Sequence, residues 1–469
     1  MQSPAPSLIT AFRHSNIVRV LMLFVLVILF QIPILALDGL IRERQGRRNS
    51  AVEEVASKWG RQQAVIGPML IVPYTTSWTE AAAGGQPVVR KDTHLGVFLP
   101  ERLSTRGTLD AEKRRRGIFS TSVYRANLHI EGVFARPSLA AWGVDPKDVQ
   151  WSRAQLVVGI SDNRAIESTA AMRWNGAPTE VLPGTLEGLV VTSGVHAEAP
   201  VPEAAASPAA AGSGVAVASA TAHAIPFSID LPLKGSAGAY WVPMGKTTEV
   251  AVRSNWRSPS FQGGWLPERR SLGPKGFEAE WTIAYLGRNF PQAWKDAAVS
   301  KETLESARFG FDLIETTDHY QMAARSVKYA GLFLLLTFAT LWLVEVLARV
   351  SVHPIQYLLI GAAMCVFYLL ELSLSEHLGF GFAYCVATVA IVAQIAGYCA
   401  AVLHSRRRAA IVSGMSAVLF CYLYVVLTNE DYALLIGSIG VFAILAVIMY
   451  LTRRVDWYGT QPAGDAART

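Results

Sequence analysis

IVRVLMLFVLVILFQIPILALDGL, residues 17–40, is the stretch that decides how this chain is built. The hydrocarbon core of a bilayer is about 30 Å thick, so a helix needs roughly 20 apolar residues to cross it. This segment meets that length and predicts a membrane-spanning helix. A long polar insert follows, residues 41–328, and five more apolar segments then crowd into 329–451, near 329–348, 355–372, 380–403, 409–427 and 432–451. The reading is a multi-pass α-helical membrane protein with six transmembrane helices, one N-terminal and five C-terminal. A large β-rich periplasmic domain is inserted between helices 1 and 2, and short cytoplasmic segments, 1–16 and 452–469, flank the whole.

A secretory signal peptide is the competing reading of the first segment, because Arg13, His14 and Arg19 precede the run VLMLFVLVILF. The apolar stretch exceeds a usual h-region, and PILALDG around Ala36 offers no small-x-small cleavage site, so an uncleaved anchor is expected. The four cysteines, Cys365, Cys385, Cys399 and Cys421, all fall in predicted spans. The polar insert therefore contains no disulfide and must fold on its own core. The net charge of +6 is spread along the chain without a basic stripe, which excludes nucleic acid as an expected partner.

Loop charges give an orientation through the preference of Lys and Arg for cytoplasmic loops. Arg349 and His353 follow the second span, His404, Arg406, Arg407 and Arg408 follow the fourth, and Arg453 and Arg454 follow the sixth. The alternate loops, ELSLSEHLG at 371–379 and TNED at 428–431, carry one histidine and no Lys or Arg. Both termini are thereby expected in the cytosol, in a bacterial inner membrane. Arg42, Arg44, Arg47, Arg48, Arg325 and Lys328 argue the opposite way, but they flank a long domain, where such charges are less decisive.

Within the insert the pattern becomes alternating and bounded by Gly and Pro. Tyr124, Ala126, Leu128 and Ile130 share one predicted strand face, as do Phe277, Ala279, Trp281, Ile283 and Tyr285, and Ile225, Phe227, Ile229 and Leu231. LVVGIS (156–161) and GLVVTSG (188–194) read as short apolar strands, giving a sandwich or a large antiparallel sheet with one buried face. Residues 41–59 lack alternation and read as a helical stalk ending at Gly60. Residues 197–224, rich in Ala, Pro, Ser and Gly, read as a flexible surface loop.

No nucleophile elbow, P-loop, Cys-rich metal motif or His-Glu-x-x-His occurs, so no enzymatic activity and no cofactor are expected. His94, His129, His196 and His223 share no ligand spacing. Lys113, Arg114, Arg115 and Arg116, beside Gly117, read as a solvated turn, with contact to anionic lipid or polymer as the functional alternative.

Ionisable groups in spans are the better candidates, because charge in lipid is costly and marks function. Glu345 lies one turn from the end of the second span and is expected to snorkel to the interface. Glu371, Glu376 and His377 cluster at the far end of the third span, where interfacial hydrogen bonding is the ordinary expectation. A proton or ion path requires polar groups at mid-depth, and Gln394 is the one offered.

Five stretches carry a family resemblance: RRRGIFSTSVYRANLHIEGVF (114–134), NWRSPSFQGGWLPERR (255–270), DHYQMAARSVKYAGLFLLLTF (318–338), HPIQYLLIGAAMCVFYLLELSLSEHLGF (353–380) and TRRVDWY (452–458), with GPMLIVPY at 67–74. In order and spacing they resemble the CreD family of cell envelope integrity proteins across nearly the whole chain. The Ala/Pro-rich stretch departs from the family pattern and reads as an insertion. The resemblance implies a place in the cytoplasmic membrane of Gram-negative bacteria, expression linked to a two-component system, and an effect on envelope integrity and colicin tolerance. It implies no catalytic residue. The function expected is non-enzymatic support of the envelope through the periplasmic domain, with the bilayer and other envelope proteins as partners. The alternatives are a small transporter or channel using helices 2–6, a membrane sensor relaying periplasmic state, and, last, a periplasmic enzyme.

Overall fold

A computed structural model describes residues 16–81, 87–202, 224–314, 319–348, 350, 352–429 and 431–453. The chain divides into two compact units, Met1–Arg47 with Thr317–Thr469, and Arg48–Thr316.

The opening apolar segment belongs to one 44-residue helix, α1, Asn16–Trp59, more than twice the roughly 20 residues a crossing needs. Beyond the apolar part, pairs one turn apart support it: Arg42 with Asp38, Arg47 with Glu43, and Lys58 with Glu54. The helix stops where the sequence places the end of a stalk. Gly60 adopts φ +141°, and a Cβ there would meet the Lys234 carbonyl oxygen at 2.9 Å, so only glycine makes this exit without strain.

The unit Arg48–Thr316 is built from two sheets, of nine and eight strands among the described residues. Four long strands carry them: β1 (Gln63–Ala81), β2 (Pro87–Phe98), β3 (Arg102–Arg116) and β4 (Phe119–Phe134). In the first sheet β1 lies between β2, Gln155–Ile160 and Gly238–Trp241. In the second, β3 lies between β4 and Thr247–Ser254, and β4 pairs on its other side with Ile225–Ser236. Two pairings are parallel, β1 with Gly238–Trp241 and β3 with Thr247–Ser254, so the sheets are mixed rather than wholly antiparallel.

Alternation decides the faces. Tyr124, Ala126, Leu128 and Ile130 are buried while Arg125 and Asn127 point outward. Phe277 and Trp281 of the second sheet meet Phe311 and Phe309 of the first, at ring separations of 4.9 and 5.7 Å. That aromatic layer joins two inner faces, the packing of a sandwich.

Several expectations change. Tyr285 leaves the strand Gly276–Ala284, enters a one-turn 3-10 helix and is exposed. GLVVTSG is a loop up to the strand Gly194–Glu198; its Leu189 and Val191 are buried in the core, Val191 in the space left by Gly159. The Ala/Pro-rich loop begins later than its composition suggests, because residues 197 and 198 are strand and Ala199 and Val201 are buried; residues 203–223 lie outside the described residues. Lys113–Arg116 is the end of β3, and the turn proper is Gly117–Ile118, with Gly117 at φ +61°. The run is partly engaged at the foot of the stalk. The Arg114 guanidinium lies 3.6 Å from the centre of the Trp59 ring, and Arg116 pairs with Glu54 at 2.6 Å.

Among the described residues the other unit holds six further helices: α2 (His319–Lys328), α3 (Ala330–Ala348), α4 (Pro354–Leu378), α5 (Phe380–Val402), α6 (Arg406–Thr428) and α7 (Ala433–Thr452). Among the described residues five helices are long and apolar enough to cross a membrane, and a sixth span results if α2 and α3, bent by 47° at Tyr329, count as one. The segment read as 329–348 is therefore the second half of a bent pair. α2 is amphipathic, with Tyr320, Ala323, Ser326 and Val327 buried along one face. α1 packs closely where Gly361 of α4 makes room, since a Cβ there would run into the Phe30 ring.

Candidate functional site: buried carboxyl groups of the helical unit

Glu345 does not snorkel. It sits on the last turn of α3 and is 3% exposed, because the chain folds back over it into α4. The connection starts α4 with Pro354 behind a His353 N-cap, whose capping box is completed by Gln356. The Glu345 carboxylate takes up the donors of this turn. Val352 N–H donates to Oε1 at 3.0 Å and the Tyr357 hydroxyl donates to Oε2 at 2.8 Å. Arg19 of α1 pairs with Oε1 at 2.5 Å. A backbone N–H within lipid has no water to bond, so a carboxylate that accepts it and is itself neutralised by a guanidinium is a self-consistent arrangement. It ties three helices, α1, α3 and α4, at one end of the bundle.

Glu371 is equally hidden, 1% exposed, and is not an interfacial residue. Its surroundings are the opposite of those of Glu345. The Ser326 hydroxyl of α2 donates to Oε2 at 2.9 Å, while Oε1 is buried without a partner among the described residues. One turn earlier on α4, the Tyr368 hydroxyl is also buried without a partner among the described residues. Glu376 accepts from the Tyr320 hydroxyl at 2.8 Å and lies 3.7 Å from an Arg44 nitrogen. The buried face of α2 is thus fastened to α4 by two carboxyl groups, through Ser326 and Tyr320. His377 points out of this contact and is exposed.

The four predicted residues therefore form no single site. Glu371 and Glu376 share the α2–α4 contact, and Glu345 belongs elsewhere: Tyr357 and Glu371 are 14 residues apart on α4, about 21 Å at 1.5 Å per residue. Gln394, offered for a mid-depth path, is on the exposed side of α5. Between the two ends, Ser413 and Ser416 donate back to carbonyls of their own helix. Arg19, Tyr357, Tyr320 and Ser326 were not foreseen. The signals were present in an arginine inside the first apolar run and in the three- and four-residue spacing of Tyr320, Ala323 and Val327.

In the β unit the histidines serve local contacts. His94 Nδ1 is 3.0 Å from an Asp296 oxygen and its ring stacks on Tyr74, and His196 Nδ1 is 3.0 Å from the Gly184 carbonyl. His129 Nδ1 is 2.7 Å from Asp230 Oδ1, and that hydrogen bond, helped by the charges of Asp230 and Glu131, holds the imidazole above its ordinary pKa against the smaller effect of burial. His223 lies outside the described residues. Among the described residues no group of three or more His, Cys, Asp or Glu is placed to hold a metal. The outer face of the second sheet carries a groove of about 520 Å³, lined by Arg106, Asn127, His129, Arg253, Glu278 and Glu280. Within it Arg253 pairs with Glu278 at 3.1 Å, while Arg106 pairs with Glu131 at 3.3 Å and Glu280 with Arg269 at 2.6 Å, both partners lying outside the lining.

A family model described as "Inner membrane protein CreD" matches residues 15–458. The chain belongs to the CreD family. The "Inner membrane protein CreD" of Escherichia coli (strain K12) is 30% identical to it over 439 residues, 93% of this chain and 92% of that protein. As a CreD-family member with several apolar helices and a large β-rich unit, the chain is an inner-membrane protein.

Proposed function

We propose that this CreD-family chain supports the integrity of the cell envelope, without catalysis, by holding its β unit on the periplasmic face of the inner membrane with both termini in the cytosol. The observation that carries the reading is the two-sheet unit Arg48–Thr316, the larger part of the chain, tied at both its ends to apolar helices. The orientation is supported by the loop charges: Arg406, Arg407 and Arg408 open α6, whereas the opposite end of α4 carries Glu371 and Glu376. The paired charges on the outer sheet face suit contact with polar envelope components.

Two experiments test this. A deletion strain is complemented with the full chain or with a form in which residues 48–316 are replaced by a short linker, and detergent and colicin tolerance are scored. The full chain restores tolerance and the shortened form does not; full complementation by the shortened form refutes the reading. For orientation, Ser271→Cys, at an exposed edge of the second sheet, is labelled by an impermeant maleimide in intact spheroplasts. Labelling only after lysis reverses the topology.

A transporter using α3–α7 is the second reading, favoured by the buried and unneutralised carboxyl of Glu371. It requires that Glu345→Gln, Glu371→Gln or Glu376→Gln abolish complementation in chains that still insert. Normal behaviour of all three removes it.

A further inference from the structure

We infer that Glu371 is a proton-binding site inside the helical unit, carrying a proton at neutral pH.

The two residues form an internal comparison. Both are buried, 1% and 3% exposed, in the same set of helices. Glu345 has three donors, one of them a guanidinium, so its negative charge is compensated in place. Among the described residues Glu371 has a single neutral donor, the Ser326 hydroxyl, and its second oxygen has none. An isolated carboxylate out of water is strongly disfavoured, and the usual remedy is neutralisation by a proton. The neutral form also changes the unpartnered oxygen from an acceptor lacking donors to a hydroxyl.

The groups around the site do not supply a compensating charge. On α4 Tyr368 lies within electrostatic reach of Glu371, and Glu376, five residues on, is engaged with Tyr320 and Arg44. From α5 comes Tyr384, within electrostatic reach of Glu371 but donating its hydroxyl to the Phe420 carbonyl at 2.7 Å. Cys385 of α5 and Cys421 and Tyr424 of α6 lie around Tyr384. Among the described residues α3 contributes no ionisable group there.

The proton has a structural consequence through α2. That helix is held to α4 through Ser326 on Glu371 and Tyr320 on Glu376. Releasing the proton places an uncompensated charge under Ser326, so occupancy of the site sets how firmly α2 is seated. This inference does not rest on the envelope reading, because it concerns the state of one side chain and is read without a phenotype.

The test uses full-length protein in lipid nanodiscs. N,N′-dicyclohexylcarbodiimide, which reacts with protonated carboxyl groups in apolar surroundings, is applied over a pH series, and the adducts are mapped by peptide mass spectrometry. Adduct is expected at Glu371 and not at Glu345 at neutral pH, falling about tenfold per pH unit once the site empties. Infrared spectroscopy of the same samples supplies a second readout that does not depend on reagent access. The wild type shows a protonated carboxyl band that Glu371→Gln lacks and Glu345→Gln retains. Because glutamine imitates the neutral carboxyl in shape, Glu371→Gln is expected to match the wild type in thermal stability. A wild-type spectrum without that band, or a band unchanged in Glu371→Gln, overturns the inference, as does preferential modification of Glu345.

Discussion

Replacing Arg19 by methionine leaves the Glu345 carboxylate buried with its two remaining donors, Val352 N–H and the Tyr357 hydroxyl, and no counter-charge. Removing one partner of a buried ion pair costs about 3–5 kcal/mol. The Arg19 side chain is 26% exposed, against 3% for Glu345, so part of the guanidinium stays solvated and the lower end of the range applies. A loss of about 3 kcal/mol corresponds to on the order of a hundredfold in the folding equilibrium. The assay is titration of purified protein from mild detergent into dodecyl sulfate, followed by circular dichroism, for Arg19→Met, Glu345→Gln and the double variant. Glutamine at 345 removes the buried negative charge, its carbonyl oxygen can accept from Val352 N–H and its amide can donate to the Tyr357 hydroxyl oxygen, so adding it to Arg19→Met restores most of the loss and the cycle is strongly non-additive. A cost for Arg19→Met within about 0.5 kcal/mol of zero, the range of ordinary surface changes, refutes the argument. Strict additivity refutes it equally, since it makes the two residues independent.

In the β unit, Arg288 is buried without a carboxylate, bonds the carbonyls of Pro243, Met244 and Gly245 and the Gln292 side chain, and burial lowers its pKa to about 10. Arg288→Met removes a donor from each of those carbonyls, of which Gly245 keeps the Thr248 hydroxyl, and should cost about 2–4 kcal/mol, seen as a lower unfolding temperature and faster proteolysis near residues 243–245. His129 has its folded-state pKa raised by the Asp230 hydrogen bond, so the stability it contributes is complete below about pH 6.5 and is lost as pH rises through the folded-state value. Asp230→Asn should move its titration downward in NMR of histidine-labelled protein; an unmoved midpoint contradicts the assignment. Gly361→Leu should push α4 away from Phe30 of α1 and cost about 1–3 kcal/mol in the dodecyl sulfate titration, a penalty that Phe30→Ala in the same chain reduces.

Local reading reached different depths in different places. The alternation of Tyr124, Ala126, Leu128 and Ile130 was legible because burial on one face of a strand is a property of consecutive residues. The strand assigned to GLVVTSG failed because a short apolar run has no period that separates a strand from a loop filling the space beside Gly159. The basic run at 113–116 was misplaced by one element, since the turn is set by the register of Arg116 against Phe119, a pairing that composition does not reveal. At the candidate site, Glu345, Glu371 and Glu376 were identifiable as ionisable groups in apolar surroundings. Their partners lie far off in the chain, and Arg19 is 326 residues from Glu345.

The sequence by itself determined the apolar helices, the long β-rich insert between them and the family, because length, apolarity and motif order are written along the chain. Only the tertiary structure decided that one buried glutamate is neutralised by an arginine while another has a single hydroxyl for company. The physical reason is that the state of a buried carboxyl depends on which donors other helices bring to within about 3 Å, and that proximity exists only once the helices pack.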